Sequence, residues 1–457
     1  MNNTHDQAMG YVYQQVLQRL LEHMGQAQRA SVQLLMQRLL VVAGGPTRIG
    51  SLRLLVVHGG DRRSAHLLAC LRATQLSLAQ RHQDTFCLRV LVARSPALDR
   101  ATLASHERCF SALFLHDDPR VELLRGDGGR LEPFAVGQVV TQSPLDEAGK
   151  AWLLFGHLCG GQPERLLGAR AYLELAAGLV EALVMESEVD VLVTVAPARQ
   201  RRRLLAWARR CLRLNGDATP TVLPLSADTL AIGLAQLRQW LVGAHLAPLG
   251  EPAQRAVTPL RVIAVEDLVH LQEGGALDDM LGREAALPCE TQGPAGLFDP
   301  LPMAHLHELR ARRADLHGYR DSAGSLEHSL CEHARVQASI ADAYGVNEDH
   351  LLCLLHTPFE AQGRGLERYL QRCHPRMRVA LPYLHRALQG RPCPMAVSRW
   401  LVNMSGLEMA QLRALYAGTL PPQAALLVHW LARRDQWLRL LPHIAPATAV
   451  EKRSGQC

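Results

Sequence analysis

The tetrapeptide His58-Gly59-Gly60-Asp61 is the first place where residue types and spacing suggest chemistry. It follows the run 52–57, in which five of six residues are apolar as is typical of a buried strand, and precedes a segment typical of a helix, which Ser64 would cap. Glycines let a ligand approach the backbone closely, and the amides that begin a helix attract phosphate. Neither GxGxxG nor GxxxxGK[ST] is present, so we expect an ordinary strand-to-helix turn, with phosphate binding as the alternative.

A second polar group, His116-Asp117-Asp118, ends a short apolar segment that we expect to be a strand from Ala112 to His116. Two carboxylates and an imidazole suit a divalent metal, and Asp61 would join them if its strand were adjacent. Because Asp-Asp-Pro is also a good turn sequence, we favour the turn.

The stretch 151–215 combines strand-like and helix-like runs with a short loop that contains a glycine. A strand expected at 152–157 precedes the segment RLLGAR at 165–170, and a helix and a strand at 189–195 follow. This order resembles the acyl-CoA-binding core of GNAT-type N-acyltransferases, whose R-x-x-G-x-G/A loop holds pyrophosphate on backbone amides. The resemblance implies that Arg165 and Gly168 bind the ligand, although Arg170 stands where that family has its second Gly or Ala. Nothing in the sequence names a cofactor.

A dense basic patch lies near the end of this stretch. Its members are Arg199, Arg202, Arg203, Arg209, Arg210 and Arg213. On a helix, positions 202, 209 and 213 lie near one face. Such a face receives a phosphate, a nucleic acid or an acidic protein, and a solvated helix surface is the simpler interpretation.

Residues 340–354 have helix-turn-helix spacing, with a small residue, a turn glycine and later apolar positions, and a fainter unit spans 395–416. The pair resembles an AraC-type regulator domain. The helix in the recognition position begins Glu348-Asp349, and carboxylates repel phosphates. We therefore expect a helical packing module here rather than a DNA reader.

Histidine and cysteine are close together in several segments, including His350, Cys353 and His356. Zinc needs four such ligands in a tetrahedral array, and none of the spacings matches a known finger. We expect ordinary histidines and no metal site.

The elements around these residues alternate between strand-like and helix-like runs, which predicts a mostly parallel sheet with Rossmann-like layering. A long amphipathic helix at 7–43 precedes it, and an all-α domain ends the chain. The expected organisation is an N-terminal amphipathic helix in 1–45, an α/β region in 46–245 with a possible join near 118–150, an irregular linker in 246–324, a helical domain in 325–445 and a tail in 446–457.

Composition narrows the class of protein. The net charge is only +6 over 457 residues, and 47 of the 49 basic residues are arginines, a bias that a GC-rich bacterial genome also produces. Eleven scattered cysteines without a CxxC pair indicate reduced thiols. No apolar run spans a membrane and no secretory signal is evident, so we expect a cytoplasmic protein.

These observations favour a regulatory or adaptor protein that binds a protein partner through helical surfaces and carries degenerate catalytic motifs. The alternatives are an enzyme or sensor for a phosphate-bearing ligand, in its most specific form an acyl-CoA N-acyltransferase, and a DNA-binding transcriptional regulator. Nucleic acid is thus a possible partner but not the favoured one, and helix 7–43 offers a route to a homo-oligomer.

Overall fold

The computed structural model describes residues 2–82, 84–92, 100–126, 131–135, 147–158, 160, 182, 189–195, 198, 261–271, 275–282 and 346–420. The chain divides into two compact units. Of the described residues, 147–160 and 346–420 belong to the helical unit, and the others belong to the sheet unit.

Six described strands of the sheet unit form one mostly parallel sheet. Their bounds are β1 Arg53–Val57, β2 Cys87–Val92, β3 Val121–Gly126, β4 Leu131–Pro133, β5 Val191–Thr194 and β6 Arg261–Ala264. The order across the sheet is β4-β3-β2-β1-β5-β6, and only β3 and β4 run antiparallel. Leu54 in β1 pairs with Leu88 of β2 on one side and with Val191 of β5 on the other. The α/β class predicted from the alternation of elements is confirmed.

The helices described in this unit are α1 Asn2–His23, α2 Gln26–Ala43, α3 Arg62–His82, α4 Arg100–Ala112 and α6 Gly275–Met280, with a 3-10 helix at Pro46–Ser51. Every residue of α3 from Ser64 to Leu78 is buried. A helix buried all round needs cover on each side. The N-terminal helices α1 and α2 provide part of it, because both pack against α3.

Helix 7–43, expected as one element, is two helices that break at Met24 and Gly25, where the glycine is extended. Their apolar stripe lies in the core of the unit, with Leu20 and Leu35 each 1% exposed. The surface that we considered for a homo-oligomer is therefore largely used within the chain itself.

The strand expected from Ala112 to His116 is wrong. Helix α4 continues to Ala112, a turn follows with Phe114 in the left-handed region at φ 53°, and β3 begins at Val121. The segment is apolar because Leu113 and Leu115 are buried in the core, and a short apolar run does not distinguish a buried turn from a strand.

Two other segments complete the sheet. Gly126 pairs with Leu131 across the β3–β4 hairpin. Strand β6 lies in the region 246–324, which we expected to be an irregular linker with one strand candidate at 260–265, and it pairs with β5 at the end of the strand order.

The described helices of the helical unit are α5 Glu147–Leu158, α7 Glu348–His356, α8 Leu366–Cys373, α9 Leu381–Leu388, α10 Met395–Ser405 and α11 Met409–Ala417, with a helical turn at Glu360–Gly363 and a 3-10 helix at Pro375–Ala380. The remainder of the chain that the structure describes is thus helix-rich. The strand expected at 152–157 is wrong, because this apolar run is part of α5.

Helix α5 packs closely against α7 in the helical unit. A Cβ added at Gly156 would lie 2.3 Å from a methyl carbon of Leu354, so this position needs a residue without a side chain. The run is apolar because its buried residues Leu153 and Leu154 lie in a helix packed inside this unit.

Candidate functional site

The loop His58–Asp61 lies at the carboxyl end of β1, between β2 and β5. From β1 the chain adds β2 and β3 on one side and later adds β5 on the other, so the order of strands reverses here. Open α/β proteins bind ligands at such a switch point. The loop therefore lies at the carboxyl end of a central strand, where the sequence places it, and the side chains around it decide what it can bind.

Asp61 caps helix α3. Its Oδ1 accepts a hydrogen bond from the backbone N–H of Ser64 at 3.1 Å, and its backbone carbonyl accepts one from the Ser64 hydroxyl at 2.9 Å. The cap is therefore Asp61 rather than Ser64, because the helix begins before the serine. The Asp61 carboxylate thus already binds a backbone N–H at the start of the helix that a phosphate would otherwise use.

Arg62 and His66, on the first turns of α3, both bind Asp278 of α6. The Arg62 Nε lies 2.7 Å from Asp278 Oδ2, and the His66 Nε2 lies 2.8 Å from Oδ1. Burial alone raises the pKa of Asp278, but the hydrogen bonds from Arg62 and His66 outweigh it and lower that pKa. Gln28 extends this hydrogen-bonded network, with its Nε2 3.4 Å from His66 Nδ1. Arg62, the arginine next to the loop, is thus already paired with a carboxylate of its own chain.

His58 points into the core. Its Nδ1 lies 2.6 Å from Nδ1 of His106 on α4, and its Nε2 lies 3.9 Å from the sulfur of Cys109. Both histidines are 1% exposed and pack with Phe110, and His106 also packs with Phe134. Nothing in the sequence near His106 indicated this pair. Within the described ranges no group of three or more His, Cys, Asp or Glu side chains is placed to hold a metal ion.

Asp118 has a structural role and lies at the amino ends of the parallel strands, because it precedes β3. Asp61 follows β1 and therefore lies at the opposite, carboxyl ends. Asp118 binds Arg72 at 2.7 Å and Arg120 at 2.6 Å. Burial raises its pKa, but the hydrogen bonds and charges of both arginines prevail and lower it to about 2. The turn interpretation of this segment is right, and Asp61 and Asp118 do not form a joint metal site.

Two sets of predicted site residues, Arg165 with Gly168 and the basic patch from Arg199 to Arg213, lie outside the described residues. One feature of the acyltransferase resemblance, the strand at 152–157, is nevertheless contradicted. The segment expected as the strand before its loop is helix α5.

In the helical unit, α7 is a packing helix, as the acidic start of its sequence led us to expect. Asn347 caps it by accepting the N–H of His350 at 2.9 Å, and its residues from His350 to Leu355 are buried. His350 also binds the carbonyl of Asn403 at 2.8 Å and is thus a satisfied histidine rather than a metal ligand.

Helix α8 and the turn before it, which contains Arg364, present a row of arginines to solvent. Leu366, Tyr369 and Leu370 are buried on one face. The residues Arg364, Arg368 and Arg372 follow one another at four-residue spacing and are all exposed, so they form one stripe along the opposite side, which we call the arginine stripe. Tyr369 holds the helix in place through a hydroxyl hydrogen bond of 3.0 Å to the sulfur of Met404.

Positive charge continues beyond the stripe. Positions 364–399 contain eight arginines and one acidic residue, Glu367. All eight are exposed, and among the described residues only Arg378 has a carboxylate within 4 Å, that of Glu367 at 3.9 Å. The density and the four-residue spacing of these arginines are visible in the sequence. Our sequence analysis nevertheless considered only the histidines and the helix-turn-helix pattern of this region as candidate features.

Helices α10 and α11 form the fainter helix-turn-helix unit of the sequence. Gly406, at φ 69°, ends α10, and α11 begins at Met409. The exposed positions of α11 are Ala410, Arg413 and Ala417, and the Nε of Arg413 donates to the carbonyl of Ala387 at 3.1 Å. The second helix of this unit therefore offers little to read bases with.

Comparison with protein-family models, with curated proteins and with solved structures gives no match to this chain. A search of the described residues finds no helix with the length and apolar character needed to cross a membrane.

Proposed function

We propose that this protein binds nucleic acid through the exposed arginines of its helical unit. One observation carries the proposal: positions 364–399 contain eight exposed arginines and only one acidic residue. A compositional bias toward arginine does not account for it, because the whole chain has 47 arginines in 457 residues and this segment has roughly twice that density. Guanidinium groups without carboxylate partners are suited to phosphate, which they bind through two oxygens at once.

In this proposal the arginines hold the phosphate backbone, and the helix-turn-helix unit supports their position. Phosphate contacts give affinity without sequence recognition. Because α11 exposes one charged side chain and two alanines, we propose a regulatory protein whose binding is set by backbone charge and by nucleic-acid structure.

The sheet unit has a different role in the proposal. Its strand order reverses at β1, where open α/β proteins bind ligands, but Asp61 and Asp278 already bind the groups that a phosphate ligand would need. We propose that it serves as a structural body, and binding of acyl-CoA or a nucleotide there is the weaker candidate.

The test measures binding of the full chain to a fluorescent mixed-sequence oligonucleotide, single-stranded and duplex, over a series of salt concentrations. Replacing Arg364, Arg368 and Arg372 with glutamine should weaken binding by at least about tenfold and should lower the slope of log affinity against log salt by about 2 to 3. Each neutralised phosphate releases counterions, so the change in slope reports how many phosphates the three arginines neutralise.

A matched control removes the same charge from the sheet unit. Arg19, Arg48 and Arg108 are exposed there, and the described residues offer no carboxylate partner to any of them. Their replacement with glutamine should leave the slope almost unchanged. A third variant, with Arg202, Arg209 and Arg213 replaced, tests the basic patch predicted from the sequence.

Equal reductions of affinity in the stripe variant and the control would contradict the proposal, since net charge alone would then explain binding. Absence of nucleic-acid binding, together with an acidic protein that copurifies and is released by the stripe variant, would favour the predicted adaptor function instead.

A further inference from the structure

The 3-10 helix Pro375–Ala380 and helix α9 present an outward row in which two apolar side chains lie between arginines. The row consists of Arg376, Val379, Tyr383 and Arg386, at positions i, i+3, i+7 and i+10. All four residues are exposed, and this spacing keeps them near one side of a helical rod.

The apolar members of the row face solvent instead of the core. Val379 is 86% exposed and Tyr383 is 45% exposed, whereas Leu384, Ala387 and Leu388 fill the buried side of α9. No hydrogen bond to the Tyr383 hydroxyl occurs in the part of the chain that the structure describes. The packing of α9 therefore does not account for a valine and a tyrosine at these two positions.

The charges around the pair indicate what covers it. Arg376 and Arg386 lie at the two ends of the row, and Arg378 adjoins Val379. A partner that meets this row needs negative charge on both sides of a flat apolar surface. Single-stranded nucleic acid has this arrangement, because its phosphates flank bases whose faces are open to stacking. In a duplex the same faces are covered by neighbouring bases.

An anionic lipid surface has the charge but fits the shape less well. Helices that lie in a membrane interface bury a large apolar face along their length. Here the apolar part of the row is two side chains, and arginines follow directly on either side.

We propose that Tyr383 stacks on a base and Val379 packs beside it, so that the protein prefers single-stranded nucleic acid to a duplex of the same sequence. This inference rests on the proposed function, in which the arginines bind phosphates. It adds that unpaired bases are the feature recognised.

The test compares the full chain with its Tyr383→Ala, Tyr383→Phe and Val379→Ser variants. The probe is a fluorescent mixed-sequence strand of about 20 nucleotides, longer than one binding site, alone and annealed to its complement. Loss of one stacked base should weaken binding to the single strand by about fivefold to 100-fold in Tyr383→Ala. Tyr383→Phe keeps the ring and should remain within about twofold of the unaltered protein, and Val379→Ser should give a smaller loss than Tyr383→Ala.

A tyrosine exposed elsewhere serves as the matched control. Tyr11 of α1 is 64% exposed in the sheet unit, and Tyr11→Ala should bind like the unaltered protein. Affinity for the duplex should change little in every one of these variants.

The outcomes separate this inference from the proposed function. If the protein binds single strand and duplex equally and Tyr383→Ala weakens neither, the stacking inference is wrong while phosphate binding by the arginines stands. If it binds neither, the proposed function fails. If it binds vesicles of phosphatidylserine and phosphatidylcholine through Tyr383 but no oligonucleotide, the row is a membrane contact and both proposals are wrong.

Discussion

Arginine has two different environments in this protein, and the clearest example of each lies in a different unit. In the sheet unit, Arg72 is 0% exposed, and its guanidinium donates to Asp118, Gln75 and the carbonyls of Leu113 and Phe114 at 2.7 to 3.1 Å. In the helical unit, the arginine stripe has exposed guanidinium groups with no carboxylate partner among the described residues.

The difference lies in where each charge finds its partner. A buried cation is tolerable only when the protein supplies the hydrogen bonds that water would have made. Arg72 therefore binds groups of its own chain and fixes the turn after α4. An exposed arginine keeps its hydration and its capacity to bind phosphate. A row of such arginines can therefore bind the anionic groups of a partner outside the chain.

The largest effect should come from breaking the buried network. Asp118→Ala leaves Arg72 and Arg120 without their carboxylate, and we expect the free energy of unfolding to fall by about 3 to 5 kcal/mol in a urea titration. Glu122→Ala is the control, because Glu122 is 51% exposed in its pair with Arg89 and should cost less than about 1 kcal/mol. Similar losses in the two variants would contradict the contrast between buried and exposed charge.

The helical unit contains a buried titratable group of its own, His157 in α5. Its two ring nitrogens are buried and have no hydrogen-bond partner in the described residues, and burial lowers its pKa to about 4. As pH falls from about 6.5 to 4, the unfolded chain takes up a proton that the folded chain refuses. Folding should therefore lose up to about 3 kcal/mol over this window.

The variant His157→Phe removes this titration and should flatten the dependence of unfolding free energy on pH below about 6.5. Burial also lowers the pKa of His350, whose contribution stays in both proteins and cancels in the difference. His82, which is exposed, is the control for substituting a histidine. If His157→Phe and the unaltered protein lose stability in parallel, the ring of His157 is hydrated in solution.

Much of the sheet unit could be predicted from its sequence because its elements are long or bounded by clear breaks. The run before His58 is a strand at 53–57, and the helix after Asp61 lies where expected. The short apolar runs at 112–116 and 152–157 were misread, since such a run has the same composition in a buried helix or turn as in a strand.

The candidate sites depend on contacts that sequence spacing does not show. Asp278 is more than 200 positions from Arg62 and His66 in the chain, so no local pattern foretold that it neutralises them. The same holds for His106 beside His58. The arginine stripe is different, because its four-residue spacing is a local pattern that required only that α8 be a helix with its apolar face buried.

A smaller effect should follow from removing the cap of α3. Asp61→Ala leaves the N–H of Ser64 without its acceptor and should lower the free energy of unfolding by about 1 kcal/mol, whereas Asp61→Asn keeps an acceptor oxygen and should cost much less. Inorganic phosphate should stabilise neither variant nor the unaltered protein in thermal unfolding. Clear stabilisation of the unaltered protein by phosphate would show that this loop is a ligand site after all.

The smallest effect on folding should come from the arginines that matter most for binding. Replacing Arg364, Arg368 and Arg372 with glutamine removes like charges that repel one another and breaks no contact with a described carboxylate, so unfolding free energy should stay within about 0.5 kcal/mol. The same variant should lose most of its affinity for nucleic acid, which Asp118→Ala, measured where it is folded, should retain. A loss of more than about 1.5 kcal/mol in the stripe variant would mean that the arginine stems pack on α8 and stabilise it. The two units would then use arginine in the same way, and the argument for a binding surface would lose its basis.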